Sequence, residues 1–201
     1  MSQDFVYLAS ASPRRRELLQ QIGVSHRVVG AAVDETTLPG EEPAAYVTRL
    51  AAAKANAGWD KSHDTAEAPV LAADTAVVLE GQILGKPSGQ EHAEAMLRQL
   101  SGRTHEVWTA VALRTTGELQ CRISRSEVTF RTLAAGEARA YWETGEPGDK
   151  AGAYAIQGMA AIFIADLRGS YSGVMGLPLF ETAELLSEAG VLRWPGPSRP
   201  R

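Results

Sequence analysis

Apolar positions along this 201-residue chain change their period several times, and each change marks a new element. The short run Val6 to Ala9 reads as a buried strand, and after Ser12-Pro13 the residues Leu18, Leu19 and Ile22 fall on one helical face before Gly23. Val24 to Gly30 reads as a second strand. Pro43 opens a helix through Tyr46, Val47, Leu50, Ala51 and Ala57 that is expected to end near Gly58, with Asp60 to Ala68 a polar loop. The apolar runs Val70 to Ala73 and Ala76 to Leu79 flank Asp74-Thr75, and Glu80-Gly81 turns the chain toward Ile83-Leu84. Glu91 to Leu100 reads as a helix, and Glu106 to Leu113 and Arg122 to Leu133 as long strands around a turn at Thr116-Gly117. Ala135 to Thr144 is expected to be helical and Gly145 to Gly152 a loop. Ala161 to Leu167 and Ser172 to Met175 read as strands, and Pro178 to Ala189 as a last helix. The pattern predicts an α/β (α+β) fold in one unit over residues 1–194, with a proline-rich tail, 195–201, expected to be disordered.

Composition narrows the function classes. An apolar share of 44% lets the chain bury a full core without staples, and a single cysteine, Cys121, allows neither an internal disulfide nor a thiolate zinc cluster. A formal charge of −4 argues against a nucleic-acid partner, so an anionic ligand would have to be met by a local basic pocket. No apolar run approaches the roughly 20 residues of a membrane span, and the N-terminal basic cluster follows its apolar stretch rather than preceding it. A cytoplasmic protein with no membrane association is expected.

Several local patterns carry chemistry. In Ser10-Ala11-Ser12-Pro13-Arg14-Arg15-Arg16, Ser12 suits an N-cap and Pro13 the first helical position, which puts three arginines in the first turn, at the positive end of the helix dipole. Cations there are unfavourable unless an anion occupies the site; a solvated basic turn is the plainer alternative. Lys86, in Gly85-Lys86-Pro87, sits on a tight turn, but the spacing from Gly81 and the following proline rule out a Walker loop. A surface lysine is the ordinary reading of both Lys86 and Lys54. Asp74 is costly to bury between two apolar runs without a cation or donors, so it is a candidate metal ligand or general base, or else it caps a turn with Thr75. Glu35, beside Asp34, could supply a second oxygen to a hard cation, or belong to an exposed acidic loop. Gln157, next to Gly158, could read a base through its amide or cap backbone. The four histidines share no ligand spacing, and HExxH, GxGxxG and GxSxG are all missing.

Six ordered blocks then line up: Leu8 to Leu19, Arg49 to Lys54, Ala73-Asp74-Thr75, Gly85-Lys86-Pro87, Leu100 to His105 and Gly176-Leu177-Pro178-Leu179. Together they resemble the Maf proteins, nucleotide pyrophosphatases similar in fold to the inosine triphosphate pyrophosphatases. The resemblance implies a mixed sheet with flanking helices and two lobes around a central cleft. It implies that Ser10, Arg14, Arg15, Lys54 and Lys86 surround a nucleoside triphosphate, and that Glu35 and Asp74 hold a divalent cation, Mg²⁺ or Mn²⁺. Asp74 falls at the general base, with Lys86 and Glu35 also catalytic, and Arg14, Thr75 and Gln157 fall where the family tunes substrate choice. The stretch Asp149 to Gly158 is more similar to the dTTP/UTP branch than to the 7-methyl-GTP branch, although Gly85 stands where that branch can carry a larger residue. A homodimer is also implied. The competing readings are a nucleotide-binding regulator of septum formation with little turnover, and a hydrolase of the terminal phosphate or of modified pyrimidine nucleotides.

Overall fold

A computed structural model of the chain describes residues 5–62 and 68–191; His63 and the tail expected at 195–201 lie outside them. The elements run in the order β1 (Phe5–Leu8), α1 (Pro13–Gln21), β2 (Ser25–Val28), α2 (Pro43–Ser62), β3 (Val70–Leu79), β4 (Gln82–Leu84), α3 (Gln90–Leu100), β5 (Thr104–Arg114) and β6 (Leu119–Phe130). There follow α4 (Glu137–Glu143), three 3₁₀ turns (Glu146–Asp149, Ala151–Ala153 and Met159–Phe163), β7 (Ile164–Arg168), α5 (Tyr171–Met175) and α6 (Leu179–Glu188). All seven strands form one mixed sheet in the order β2-β1-β3-β5-β6-β7, with β4 on β3. The pairs β1–β2 and β1–β3 are parallel and the others antiparallel. This agrees with the mixed α/β fold expected from the sequence.

Residues of β3 alternate between the two faces of the sheet, as a period of two requires. Val70, Ala72, Ala76 and Val78 pack with Val47, Ala51 and Ala55 of α2. On the opposite face Leu71 and Ala73 join Leu18 and Leu19 of α1 and Leu185 and Leu186 of α6. Further along, Val77 and Leu79 meet α3, α4 and the aromatic group of Phe130, Tyr154 and Phe163. Helix α2 approaches the sheet closely at Gly58, where an added Cβ would stand 2.8 Å from Ala9 Cβ and 2.9 Å from Val70 Cγ1.

β3 is flanked unevenly. Along one edge it pairs with β5 from Val70 to Val78. Along the other, β1 reaches only to the Leu8–Leu71 pair and β4 begins only at Val77–Leu84. Residues 72–76 therefore have no strand partner on that side, and Asp74 and Thr75 sit in the gap.

Four expectations are corrected. The second helix continues through Gly58 to Ser62, so Gly58 is a close-packing position rather than a stop, and residues 60–62 of the expected loop are helical. The expected strand at Ser172 to Met175 is helical: the Ser170 hydroxyl accepts from Gly173 N–H at 2.9 Å and starts a turn, which Gly176, at φ 113, closes. In the segment 161–167, residues up to Phe163 belong to a 3₁₀ turn, because pairing with β6 shifts register at Thr129/Phe130 and ends at Ile164. The β6 strand starts at Leu119 and ends at Phe130, earlier at both ends than Arg122 to Leu133. The tight Thr115–Glu118 turn sets that register, with Thr115 N–H on Glu118 O at 2.9 Å.

Candidate active site

The gap beside β3 opens into a cavity of about 890 Å³. All nine residues singled out from the sequence, Ser10, Arg14, Arg15, Glu35, Lys54, Asp74, Thr75, Lys86 and Gln157, line it. Asp74 and Thr75 reach it from opposite faces of β3, which is possible because the sheet is interrupted there.

On the α2 face Asp74 is 6% exposed. Its carboxylate is held by Lys54 from α2, whose Nζ lies 2.6 Å from Asp74 Oδ1 and 2.6 Å from Glu35 Oε1. Lys86, from the turn after β4, adds a contact of 3.1 Å to Glu35 Oε2. Burial pushes the Asp74 carboxyl above the ordinary carboxylate range, with Lys54 and Arg15 pulling it back. Glu35 is also raised by burial, but Lys54 and Lys86 outweigh that and hold it below its ordinary value. The Asp74 Oδ2 atom has no hydrogen-bond partner among the described residues. Tyr46, also on α2, donates from its hydroxyl to the Glu35 carbonyl at 3.0 Å. Burial, with Asp74 and Glu35 nearby, pushes its phenol up to about 12.

On the other face, Ser12 occupies the N-cap of α1 and Pro13 its first position, as expected, but the Ser12 side chain makes no capping bond. The first turn of α1 carries Arg14 and Arg15 to the C-terminal end of α5. Arg15 Nε donates to Gly176 O at 2.7 Å, and its terminal nitrogens reach Ser10 Oγ at 3.2 Å and Thr75 Oγ1 at 3.4 Å. Arg14 Nε donates to Met175 O at 3.3 Å. Behind them Thr109 donates to the Gly173 carbonyl at 2.8 Å, which ties α5 to the sheet. Burial lowers both guanidinium pKa values, partly offset at Arg15 by Asp74 and at Arg14 by Asp149. Among the described residues neither arginine has an ion-pair partner, whereas Lys54, Lys86, Glu35 and Asp74 neutralise one another. The cavity therefore presents two guanidinium groups with no direct ion-pair partner among the described residues, which favour an anion there.

Gln157 is exposed on the segment between two 3₁₀ turns, after Tyr154. Tyr154 is fixed by His105 Nε2 at 2.8 Å and by an edge contact with Phe130 at 4.9 Å. His105 is 2% exposed, and burial alone pushes its pKa down to about 4, so it is neutral; its Nδ1 has no partner among the described residues.

Sequence reasoning missed Tyr46, taken only as an apolar helix position, and Thr109, whose place opposite Thr75 depends on the β3–β5 register. Glu146 and Lys150 line the cavity as well. Lys150 fell inside the stretch that carried the resemblance, whereas Glu146 gave no signal.

A divalent cation is compatible with this donor set. Glu35 and Asp74 offer hard oxygen ligands that already converge on one ammonium, while no group of three or more His, Cys, Asp or Glu able to hold a metal occurs among the described residues. Two carboxylates suit a cation that takes its other ligands from phosphate and water.

Comparison with known proteins gives the family. The chain is 54% identical over 196 residues to the dTTP/UTP pyrophosphatase of Nitrosomonas europaea, covering 92% of this chain and 95% of that protein. It is 55% identical over 196 residues to the dTTP/UTP pyrophosphatase of Aromatoleum aromaticum, with coverage of 92% and 95%. With the one from Alkalilimnicola ehrlichii the identity is 54% over 186 residues, covering 91% and 92%. Residues 5–189 match the profile of the Maf-like proteins, and that match spans every element that builds the cavity from β1 to α6, so the chain belongs to the Maf family.

Proposed function

We propose that this protein hydrolyses dTTP and UTP to their monophosphates and releases pyrophosphate. The observation that carries the reading is the pairing, in one cavity, of two arginines that make no direct ion pair among the described residues with a buried, lysine-held aspartate that keeps one oxygen unbonded. Identity above 50% to enzymes bearing that activity supports the choice of nucleotide.

Arg14 and Arg15 bind the polyphosphate, each locked through Nε to a carbonyl at the C-terminal end of α5, Met175 or Gly176, so that the fork needs little reordering when the anion arrives. Lys86 and Lys54 add positive charge, which stabilises the charge developing on the departing pyrophosphate. Asp74 Oδ2 accepts the proton of the water that attacks the α-phosphorus. Lys54 keeps Asp74 ionised and fixes its orientation, and burial raises its basicity. Glu35 steadies Lys54 and Lys86 and, with Asp74, would hold a Mg²⁺ or Mn²⁺ ion, which when bound supplies neutralisation of the phosphate oxygens. Arg14, Thr75 and Gln157 set substrate choice, and Ser10 supports the Arg15 guanidinium. A cytoplasmic homodimer that binds no nucleic acid goes with this reading. No helix among the described residues is long and apolar enough to cross a membrane.

A panel of nucleoside triphosphates tests the proposal, assayed for pyrophosphate and orthophosphate with Mg²⁺, with Mn²⁺ and after chelation. Pyrophosphate from dTTP and UTP that disappears on chelation is expected. Orthophosphate as the only product would assign cleavage to the terminal phosphate, and preference for 7-methyl-GTP would place the chain in the other branch. Tight dTTP binding without turnover would make it a regulator.

A further inference from the structure

Two carboxylates in the cavity, Glu146 and Asp149, have no part in the chemistry proposed above; Asp149 is paired with Lys150, and Glu146 makes no ion pair among the described residues. Glu146 lines a space built for an anion, where its charge opposes binding. Its place there calls for a use that outweighs the repulsion, and its hydrogen bonds supply one. Tyr141, buried on α4, donates from its hydroxyl to Glu146 Oε1 at 2.5 Å and accepts from Ala155 N–H at 3.1 Å. The other carboxylate oxygen, Oε2, accepts from Met159 N–H at 3.0 Å. The backbone on either side of Gln157 is thus tied to one phenol–carboxylate pair. Gly158 passes so close to that carboxylate that a Cβ would collide with both oxygens, so the segment and Glu146 are fitted to each other. Upstream, the His105–Tyr154 bond anchors the start of the same segment.

We infer that Tyr141 and Glu146 are positioning residues that fix the backbone around Gln157 and thereby set which base the cavity accepts. The inference rests on the reading of Gln157 as a base-facing residue of a nucleotide pyrophosphatase. An amide discriminates bases only if its donor and acceptor are held within a fraction of an ångström, and an exposed side chain on a 3₁₀-flanked segment depends on its backbone anchors for that. Here both anchors come from outside the segment, from α4 and from the turn that follows it.

Three variants reach this device separately. Glu146→Gln keeps size but replaces the charged acceptor of the phenol and of Met159 N–H with a neutral amide, so both links are weakened. Tyr141→Phe removes both bonds of the phenol, and Gly158→Ala displaces the carboxylate from the loop side. The measurements are kcat and KM for dTTP, UTP, CTP and GTP, Kd for the same nucleotides, and amide hydrogen exchange at Ala155 and Met159. Each variant should lower discrimination between dTTP and the poorest nucleotide by about tenfold, the size of one lost hydrogen bond to a charged acceptor. The loss should appear in KM for dTTP rather than in kcat, with faster exchange at Met159 in Glu146→Gln and at Ala155 in Tyr141→Phe. An equal loss on all four nucleotides, or faster exchange with discrimination unchanged, overturns the inference. If the unmodified protein releases no pyrophosphate from any nucleotide, the functional reading fails; the discrimination in Kd then decides the inference by itself. Should Tyr141→Phe fail to fold, the other two variants carry the test.

Discussion

Among the described residues Lys54 is the one cation in direct contact with Asp74, and its removal gives the sharpest test of the site's electrostatics. In Lys54→Met the packing of the aliphatic stem is largely kept while the charge goes, so a buried carboxylate loses its counter-ion. Side-chain exposures of 11% for Lys54 and 9% for Asp74 place this pair in the class where loss of one partner costs about 3 to 5 kcal/mol. Arg15 still attracts Asp74 at longer range, so a loss near about 3 kcal/mol is expected at pH 7.5. In a chain of this length that lowers Tm by roughly 6 to 12 °C. The penalty depends on pH with a definite sign. Burial already raises the folded-state pKa of Asp74, and the substitution raises it further, so the folded state binds a proton that the unfolded state releases. Stability lost to the substitution is therefore regained as pH falls toward the raised value and is greatest well above it. Urea unfolding followed by circular dichroism at pH 5 and 7.5 measures this, and the double variant Lys54→Met/Asp74→Asn removes the orphaned charge. The double variant should recover most of the loss at pH 7.5. A penalty below about 1 kcal/mol, the same penalty at both pH values, or a double variant as unstable as the sum of the singles would refute the argument.

Other outcomes follow from the same geometry. Asp74→Asn should lower kcat for dTTP by about 10² to 10⁴ while Kd for dTTP changes little, measured by steady-state turnover and calorimetry. The pH–rate profile of the unmodified enzyme should fall on its acid side with an apparent pKa above the usual aspartate value, because the base must be ionised and burial raises its pKa; Asp74→Glu should move that limb. Gly58→Ala should destabilise by about 1 to 3 kcal/mol in thermal unfolding despite the helix preference of alanine, because its Cβ meets Ala9 and Val70.

The parts of the site that were legible in the sequence are those whose chemistry is out of place locally. Asp74 stands out because an apolar strand has no use for a carboxylate, and Arg14 and Arg15 because they occupy the wrong end of a helix. The period of two along β3 also implied that Asp74 and Thr75 face opposite ways. Other features depend on distant partners. Arg15 meets Gly176, 161 residues later, and Thr109 meets Thr75 only through the strand register. Ser172 to Met175 looks like a strand in isolation, and a hydroxyl at Ser170 decides otherwise. Gly58 read as a stop because glycine usually ends helices, whereas here it lets α2 settle onto the sheet.

The break in hydrogen bonding along one side of β3 ties catalysis to chain length in two short strands. Extending β1 past Leu8 or continuing β4 past Leu84 would stitch residues 72–76 into the ladder and bring new backbone across the mouth of the cavity. Insertions that favour extended structure in the Ser10–Ser12 or Gly85–Pro87 connections would thus leave the protein at least as stable and yet inactive. A screen that selects for heat resistance alone would enrich such variants, and one that selects for turnover would discard them.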